Sequence, residues 1–218
     1  VCARLLRKEA GKLGISAGFT IYDRSDQLSL VKRIIKGLGH DTKFLTASSI
    51  VERIARAKSE LIDEKEFLSR SQGSWETLVA QIYRHYQMEL ARANARDFDA
   101  LIFDVIKLFE KHPSLLEVYQ RTWEYLLVDE FQDTNVAQSR LIHLLAKRHQ
   151  NICVVGDEAQ GIYSFRSADF RNILNFEKEY PRAKIIKLEQ NYRSTKTIVR
   201  AAQSLISHNE YRSQKDLW

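Results

Sequence analysis

From residue 123 onward the chain alternates short apolar runs with stretches of helical periodicity, and this alternation limits the possible folds more than any other feature. The runs are residues 125–128, 152–155 and 183–188; the helical stretches extend from about Asn135 to Lys147, from Asp169 to Glu179, and through Ile198, Ala201, Ala202, Leu205 and Ile206. Strand and helix in strict succession predict a parallel sheet covered by helices. In such sheets ligands bind beyond the carboxyl ends of the strands. The polar clusters fall there, because each apolar run is followed at once by acids, amides or arginine.

The first 120 residues follow a different pattern. Apolar residues recur at steps of three and four: Leu28, Val31, Ile34, Ile35 and Leu38; Leu78, Ile82, Tyr86 and Leu90; Leu101, Val105, Leu108 and Phe109. These are amphipathic helices. Asp26 stands where an N-cap would open the first, the Gly37/Gly39 pair closes it, and Pro113 follows the third. Only 8 Gly and 2 Pro in 218 residues leave room for long helices, and no fixed repeat or low-complexity stretch occurs.

Several classes are excluded or disfavoured. The longest uncharged apolar runs are four residues, so neither a membrane span nor a leader peptide is expected. Cys2 and Cys153 are far apart, and the six histidines form no i,i+3 or i,i+4 pair. Disulfide scaffolding and structural zinc are therefore not expected, and a reducing, cytoplasmic setting is. The net charge of +6 admits a phosphate-backbone partner without locating one, since 20 basic residues meet 17 acidic up to Val128 and 14 meet 11 from Asp129.

Three clusters carry chemistry. In the first, residues 126–128 deliver Asp129 and Glu130, which suits a magnesium-nucleotide site: Asp129 to hold the metal, Glu130 to orient and deprotonate a water. An ordinary junction between a buried strand and a loop would look the same, and Asp133, Thr134 and Asn135 are good N-cap residues for the next helix. In the second, Asp157 and Gln160 are followed by Tyr163, Phe165 and Arg166, aromatics beside a cation, as in a stacking platform for the bases of a single strand. Core packing is the alternative for the two rings. In the third, Arg193 just before a helix could reach a γ-phosphate and Tyr192 could stack on adenine, or the segment is a capped helix start with a surface arginine.

Taken together, DEFQDTN (129–135), VVGDEAQGIYSFRSAD (154–169) and LEQNYRST (188–195) closely resemble motifs II, III and IV of superfamily 1 DNA helicases of the UvrD/Rep/PcrA type. Upstream, FTIYDRSDQL (19–28) and RDFDALI (96–102) resemble the helical subdomain inserted in the first RecA-like domain of those enzymes. The resemblance implies an α/β fold: part of a RecA-like P-loop NTPase parallel sheet, preceded by an all-helical inserted subdomain. The division expected is 1–122 for the insert and 123–218 for the later part of the first RecA-like ATPase domain. It further implies that Asp129 coordinates Mg²⁺, Glu130 is the catalytic base, Gln160 contacts the γ-phosphate of ATP, Arg193 stabilises the transferring phosphoryl group and Tyr192 stacks on adenine. Tyr163, Phe165 and Arg166, joined by Phe98, would line the single-strand path.

The chain departs from the family pattern at several positions. Phe165 stands where the family usually has Trp, Ala159 replaces an acid, Gly161 a serine and Ser167 a glycine, while Ala100 replaces an inner acid of the insert. No GxxxxGK[ST] loop occurs in the 218 residues, so the phosphate cradle such an enzyme needs is not among them. The chain is therefore expected to be an internal piece whose partners include the rest of its own polypeptide. The intact protein would couple Mg-ATP hydrolysis to 3′ to 5′ movement on single-stranded DNA and to opening of single/double-strand junctions, in a setting such as DNA repair, and the piece alone would be inactive. Competing readings are a non-catalytic DNA-binding or partner-docking module, the helicase subunit of a recombination nuclease, and a metal-dependent nuclease built on Asp129, Glu130, Asp133 and Asp157.

Overall fold

The computed structural model describes residues 1–40, 45–161, 171–208 and 218. They fall into two compact units, each discontinuous in sequence: Val1–Leu126 with Asn135–Asn151, and Leu127–Thr134 with Ile152–Trp218. The sequence expectation divides the chain once, between 122 and 123.

In the first unit, α1 (Cys2–Lys8) and α2 (Ala10–Leu13) precede β1 (Thr20–Tyr22), α3 (Arg24–Gly37), α4 (Ala47–Ser59), α5 (Glu64–Arg70) and α6 (Gly73–Arg92). Then come β2 (Ala95–Asp97), α7 (Phe98–Lys111), α8 (Pro113–Thr122) and, after the chain returns from the other unit, α9 (Val136–Ala146). The predicted helical periodicities form α3, α6 and α7. The start of α3 differs from expectation, because Asp23 is the N-cap and Asp26 the third residue of a reciprocal capping box, so the two carboxylates satisfy each other's backbone N–H groups. This unit is also not purely helical. β1 and β2 pair in parallel, Thr20 opposite Ala95 and Tyr22 opposite Asp97, and three-residue strands are too short to show a period.

Two cores lie within the first unit. One gathers Leu30, Ile35, Ile50, Ile54, Val79, Ile82, Tyr83 and Tyr86 from α3, α4 and α6; the other gathers Leu6, Phe19, Val105, Leu108, Phe109 and Tyr119 with Leu144 and Leu145 of α9. A buried polar cluster lies beside the first core. Lys58 of α4, 1% exposed, places Nζ 2.5 Å from Oδ2 of Asp97, itself 2% exposed, and Tyr86 donates to the same oxygen at 2.8 Å. The other carboxylate oxygen accepts the Ala100 amide at 2.7 Å and so caps α7. Burial pushes the Asp97 carboxyl up, but the Lys58 ammonium and these hydrogen bonds outweigh it and hold it below the ordinary carboxylate range.

At Asp99, two residues on, burial and the charge of Asp97 outweigh the attraction of Lys58 and Arg24 and push its carboxyl up to about 6. A carboxyl raised in the folded state favours folding while protonated and opposes it once pH rises through the folded value. Asp99→Asn should therefore raise the thermal midpoint progressively from about pH 4 to about pH 6, with a gain of about 3 kcal/mol on the plateau above that range, and none near pH 4 and below. A midpoint difference that does not change with pH would refute this assignment.

The second unit contains most of β3 (Leu126–Val128), β4 (Ile152–Val154), α10 (Arg171–Glu179) and α11 (Lys196–Ile206). β3 and β4 are hydrogen-bonded neighbours. The Leu126 amide donates to Asn151 and the Val155 amide to Val128, so the bonds advance in the same direction along both strands, the parallel arrangement. Two expectations are corrected here. β3 is not buried on both faces, since Leu127 is exposed; and residues 183–188 form no strand, with Ile185, Ile186 and Leu188 exposed. Apolar composition makes a strand only where a ladder partner is present, and the described backbone assigns this segment to no ladder.

Candidate functional site

At the carboxyl end of β3 the chain turns sharply. Glu130 adopts φ 51°, ψ 44°, the left-handed region, and a single 3-10 turn follows over Phe131–Asp133. That conformation costs a non-glycine residue roughly 1–2 kcal/mol. Three bonds offset it: the Glu130 amide to Oδ1 of Asp129 at 2.9 Å, the Phe131 amide to the Val155 carbonyl at 2.9 Å, and the Asp133 amide to the Glu130 carbonyl at 2.9 Å. Phe131 anchors the turn edge-on against Phe176 of α10, 5.7 Å between centroids. Thr134 closes it, accepting from the Asn172 amide at 3.2 Å and donating to the Phe131 carbonyl at 2.7 Å. Asp129 and Glu130 are both left exposed beyond the strand end.

The carboxyl end of β4 lies beside this turn and is joined to it by Gln132. The Gln132 amide donates to Oε2 of Glu130 at 2.7 Å, while its carbonyl oxygen accepts the Asp157 backbone N–H at 3.0 Å. Asp157 in turn accepts the Ala159 amide at 3.0 Å and the Gln160 side-chain amide at 2.9 Å. Glu130, Gln132, Asp157 and Gln160 thus form one hydrogen-bonded series. Gly156 leaves room for it, since a Cβ there would lie 2.7 Å from the Gln132 carbonyl oxygen and 2.8 Å from Ile173, and one of these side chains would have to shift.

The third cluster forms a turn of its own ahead of α11. Oδ1 of Asn191 accepts the amides of Arg193 at 2.9 Å and Ser194 at 2.8 Å, and the Asn191 backbone is bracketed by Trp218, whose carbonyl accepts its N–H at 2.8 Å. Tyr192 is 86% exposed and donates to Gln190 at 2.7 Å; Arg193 is exposed. No hydrogen bond joins Tyr192 or Arg193 to Asp129, Glu130 or Gln160. Phe98, in the other unit, is the first residue of α7 and 59% exposed, a large ring displayed to solvent. Tyr163, Phe165 and Arg166 lie outside the described residues.

The structure thus brings Glu130 and Gln160 of the predicted set into one bonded series next to Asp129, and holds Tyr192 and Arg193 in a separate turn. Gln132 was not singled out from the sequence. Its only signal there is an amide placed among carboxylates, and nothing local marks it as buried. Several basic residues of the helical half are paired with acids: Arg53 with Glu76, Arg56 with Glu60, Arg92 with Glu89 and Arg96 with Asp104. Among the described residues no cluster of three or more His, Cys, Asp or Glu side chains could hold a metal. A Mg²⁺ held by one or two carboxylates together with substrate phosphates needs no such cluster, and the exposed pair Asp129 and Glu130 fits that donor set.

A half-exposed parallel strand pair with carboxylates and amides at its carboxyl ends is a construction of nucleotide-binding α/β domains. Comparison with known families agrees: residues 1–181 match the UvrD/REP helicase N-terminal domain, and the chain belongs to that family. Over all 218 residues it is 48% identical to the ATP-dependent DNA helicase PcrA of Bacillus subtilis, and 45% identical to the PcrA proteins of Staphylococcus epidermidis and Staphylococcus aureus. The chain spans about 30% of the length of each of these relatives. None of the described helices is long and apolar enough to cross a membrane.

Proposed function

We propose that this chain is part of a cytoplasmic ATP-dependent DNA helicase that couples Mg-ATP hydrolysis to 3′ to 5′ movement on single-stranded DNA and to duplex opening at junctions. The observation that carries the reading is the series Glu130, Gln132, Asp157, Gln160, which links the carboxylate end of one parallel strand to the polar end of the next. In this reading residues 1–122 are the helical insert and 123–218 the later part of the first RecA-like domain. The phosphate cradle and a second RecA-like domain come from elsewhere in the intact protein.

Asp129 would hold Mg²⁺, which when bound neutralises phosphate charge. Glu130, exposed and fixed in its turn, accepts the proton of the attacking water. Gln160 donates its amide toward the γ-phosphate. Arg193 stabilises charge on the transferring group as a planar donor, and Tyr192 offers its exposed ring to adenine. Tyr163, Phe165 and Arg166, with Phe98, provide rings and a cation for stacked bases.

The test is hydrolysis by the full-length protein with and without single-stranded DNA, together with strand displacement on substrates tailed at either end. Stimulated turnover and unwinding from a 3′ tail are expected; cleavage of the oligonucleotide would instead favour a nuclease. Tyr163→Ala and Phe165→Ala should each weaken single-strand binding by about 1–3 kcal/mol and reduce the stimulation, with hydrolysis in the absence of DNA little changed. Normal stimulation in both would remove the stacking role.

A further inference from the structure

We propose that Gln132 is a positioning residue, which orients the Glu130 carboxylate and ties it to the backbone at the exit of β4. Gln132 is 1% exposed, yet both ends of its side-chain amide are used. The amide orientation is dictated by its partners, because the Asp157 N–H can only donate and a carboxylate can only accept. One bond grips a side chain, the other a backbone N–H 25 residues further along. Displacement of the Asp157–Gln160 turn is therefore transmitted through one rigid amide to the carboxylate at the end of β3. Gly156 leaves the room this needs, because a Cβ there would lie 2.7 Å from the Gln132 carbonyl oxygen and 3.3 Å from the Gln132 backbone nitrogen.

The inference rests on the proposed reading of Glu130 as the base for ATP hydrolysis, and the experiment keeps the two apart. In the full-length protein Q132E retains an acceptor for the Asp157 N–H but loses the donor to Glu130. G156A leaves the glutamine intact and pushes a methyl group against its oxygen. Each variant is assayed for kcat and KM of ATP hydrolysis with single-stranded DNA, affinity for a fluorescent ATP analogue, and thermal midpoint. The expected result is a fall in kcat of about tenfold to a hundredfold, as for a misplaced catalytic group, with KM and nucleotide affinity within about threefold of wild type. Wild-type kcat in Q132E overturns the positioning role, and should Q132E fail to fold, wild-type kcat in G156A does so. Loss of the thermal transition in both variants overturns it in favour of a purely structural glutamine. A wild-type protein that does not hydrolyse ATP overturns the reading of the site, and the positioning role with it.

Discussion

Glu130→Gln in the full-length protein is expected to lower ATP turnover by about a thousandfold, within the range for loss of a general base, while nucleotide affinity stays within a few-fold of wild type. The substitution keeps the length and planarity of the side chain. The carbonyl oxygen of the new amide can still accept the Gln132 N–H that Oε2 of Glu130 accepts at 2.7 Å. The left-handed turn is held by the backbone bonds of Phe131 and Asp133 and by the Asp129 carboxylate, none of which involves the Glu130 side chain. The series to Asp157 and Gln160 therefore survives, and what disappears is the capacity to take a proton. Single-turnover hydrolysis alongside equilibrium nucleotide binding measures the two effects separately. Turnover within tenfold of wild type would mean that Glu130 is not the base; loss of binding together with turnover would mean that the turn itself had been disrupted.

Lys58→Met should cost about 3–5 kcal/mol of stability, the range for a buried charge left without its partner. Met fills most of the volume of the Lys58 side chain, so the loss is chiefly electrostatic and includes the ammonium's approach to the Tyr83 and Tyr86 rings, 5.9 and 5.1 Å from their centroids. Asp97 keeps its bonds from Tyr86 and the Ala100 amide but loses the ammonium at 2.5 Å. The pH dependence should change as well. In the wild type Asp97 is held below the ordinary carboxylate range, so its contribution is complete above that range and is lost as pH falls through the folded value. Without Lys58 the burial that opposes ionisation prevails, and the variant should regain stability relative to wild type as pH falls. Thermal midpoints across acid to neutral pH test this, with the double replacement of Lys58 and Asp97 by apolar residues expected to be milder than Lys58→Met alone. A loss below 1 kcal/mol would show that the pair is not the element joining α4 and α6 to the start of α7.

The amino-acid sequence carries more of the site than of the packing. The carboxylates at the end of β3, the Asp157–Gln160 segment after β4 and the helices that follow can be read from apolar runs that stop at polar residues. Asn135 also reads directly as a cap, and it forms a reciprocal capping box with Gln138. Residues 183–188 show where such reading fails. Their composition is that of a strand, yet strand identity lies in ladder bonds to a neighbouring strand, and the described strands form no ladder with them. The same reason hides β1 and β2, three residues each and more than seventy residues apart, until the pairing is seen.

Local chemistry thus marks the candidates: Asp129 and Glu130 follow a strand, Asp157 and Gln160 follow the next, and Tyr192 and Arg193 precede a helix. Only the tertiary structure decides which of them touch. Gln132 gains its part in the site from Gly156 across the sheet end, and Lys58 from an aspartate 39 residues away. Burial and pairing belong to contacts between distant segments, and no window of sequence contains both partners.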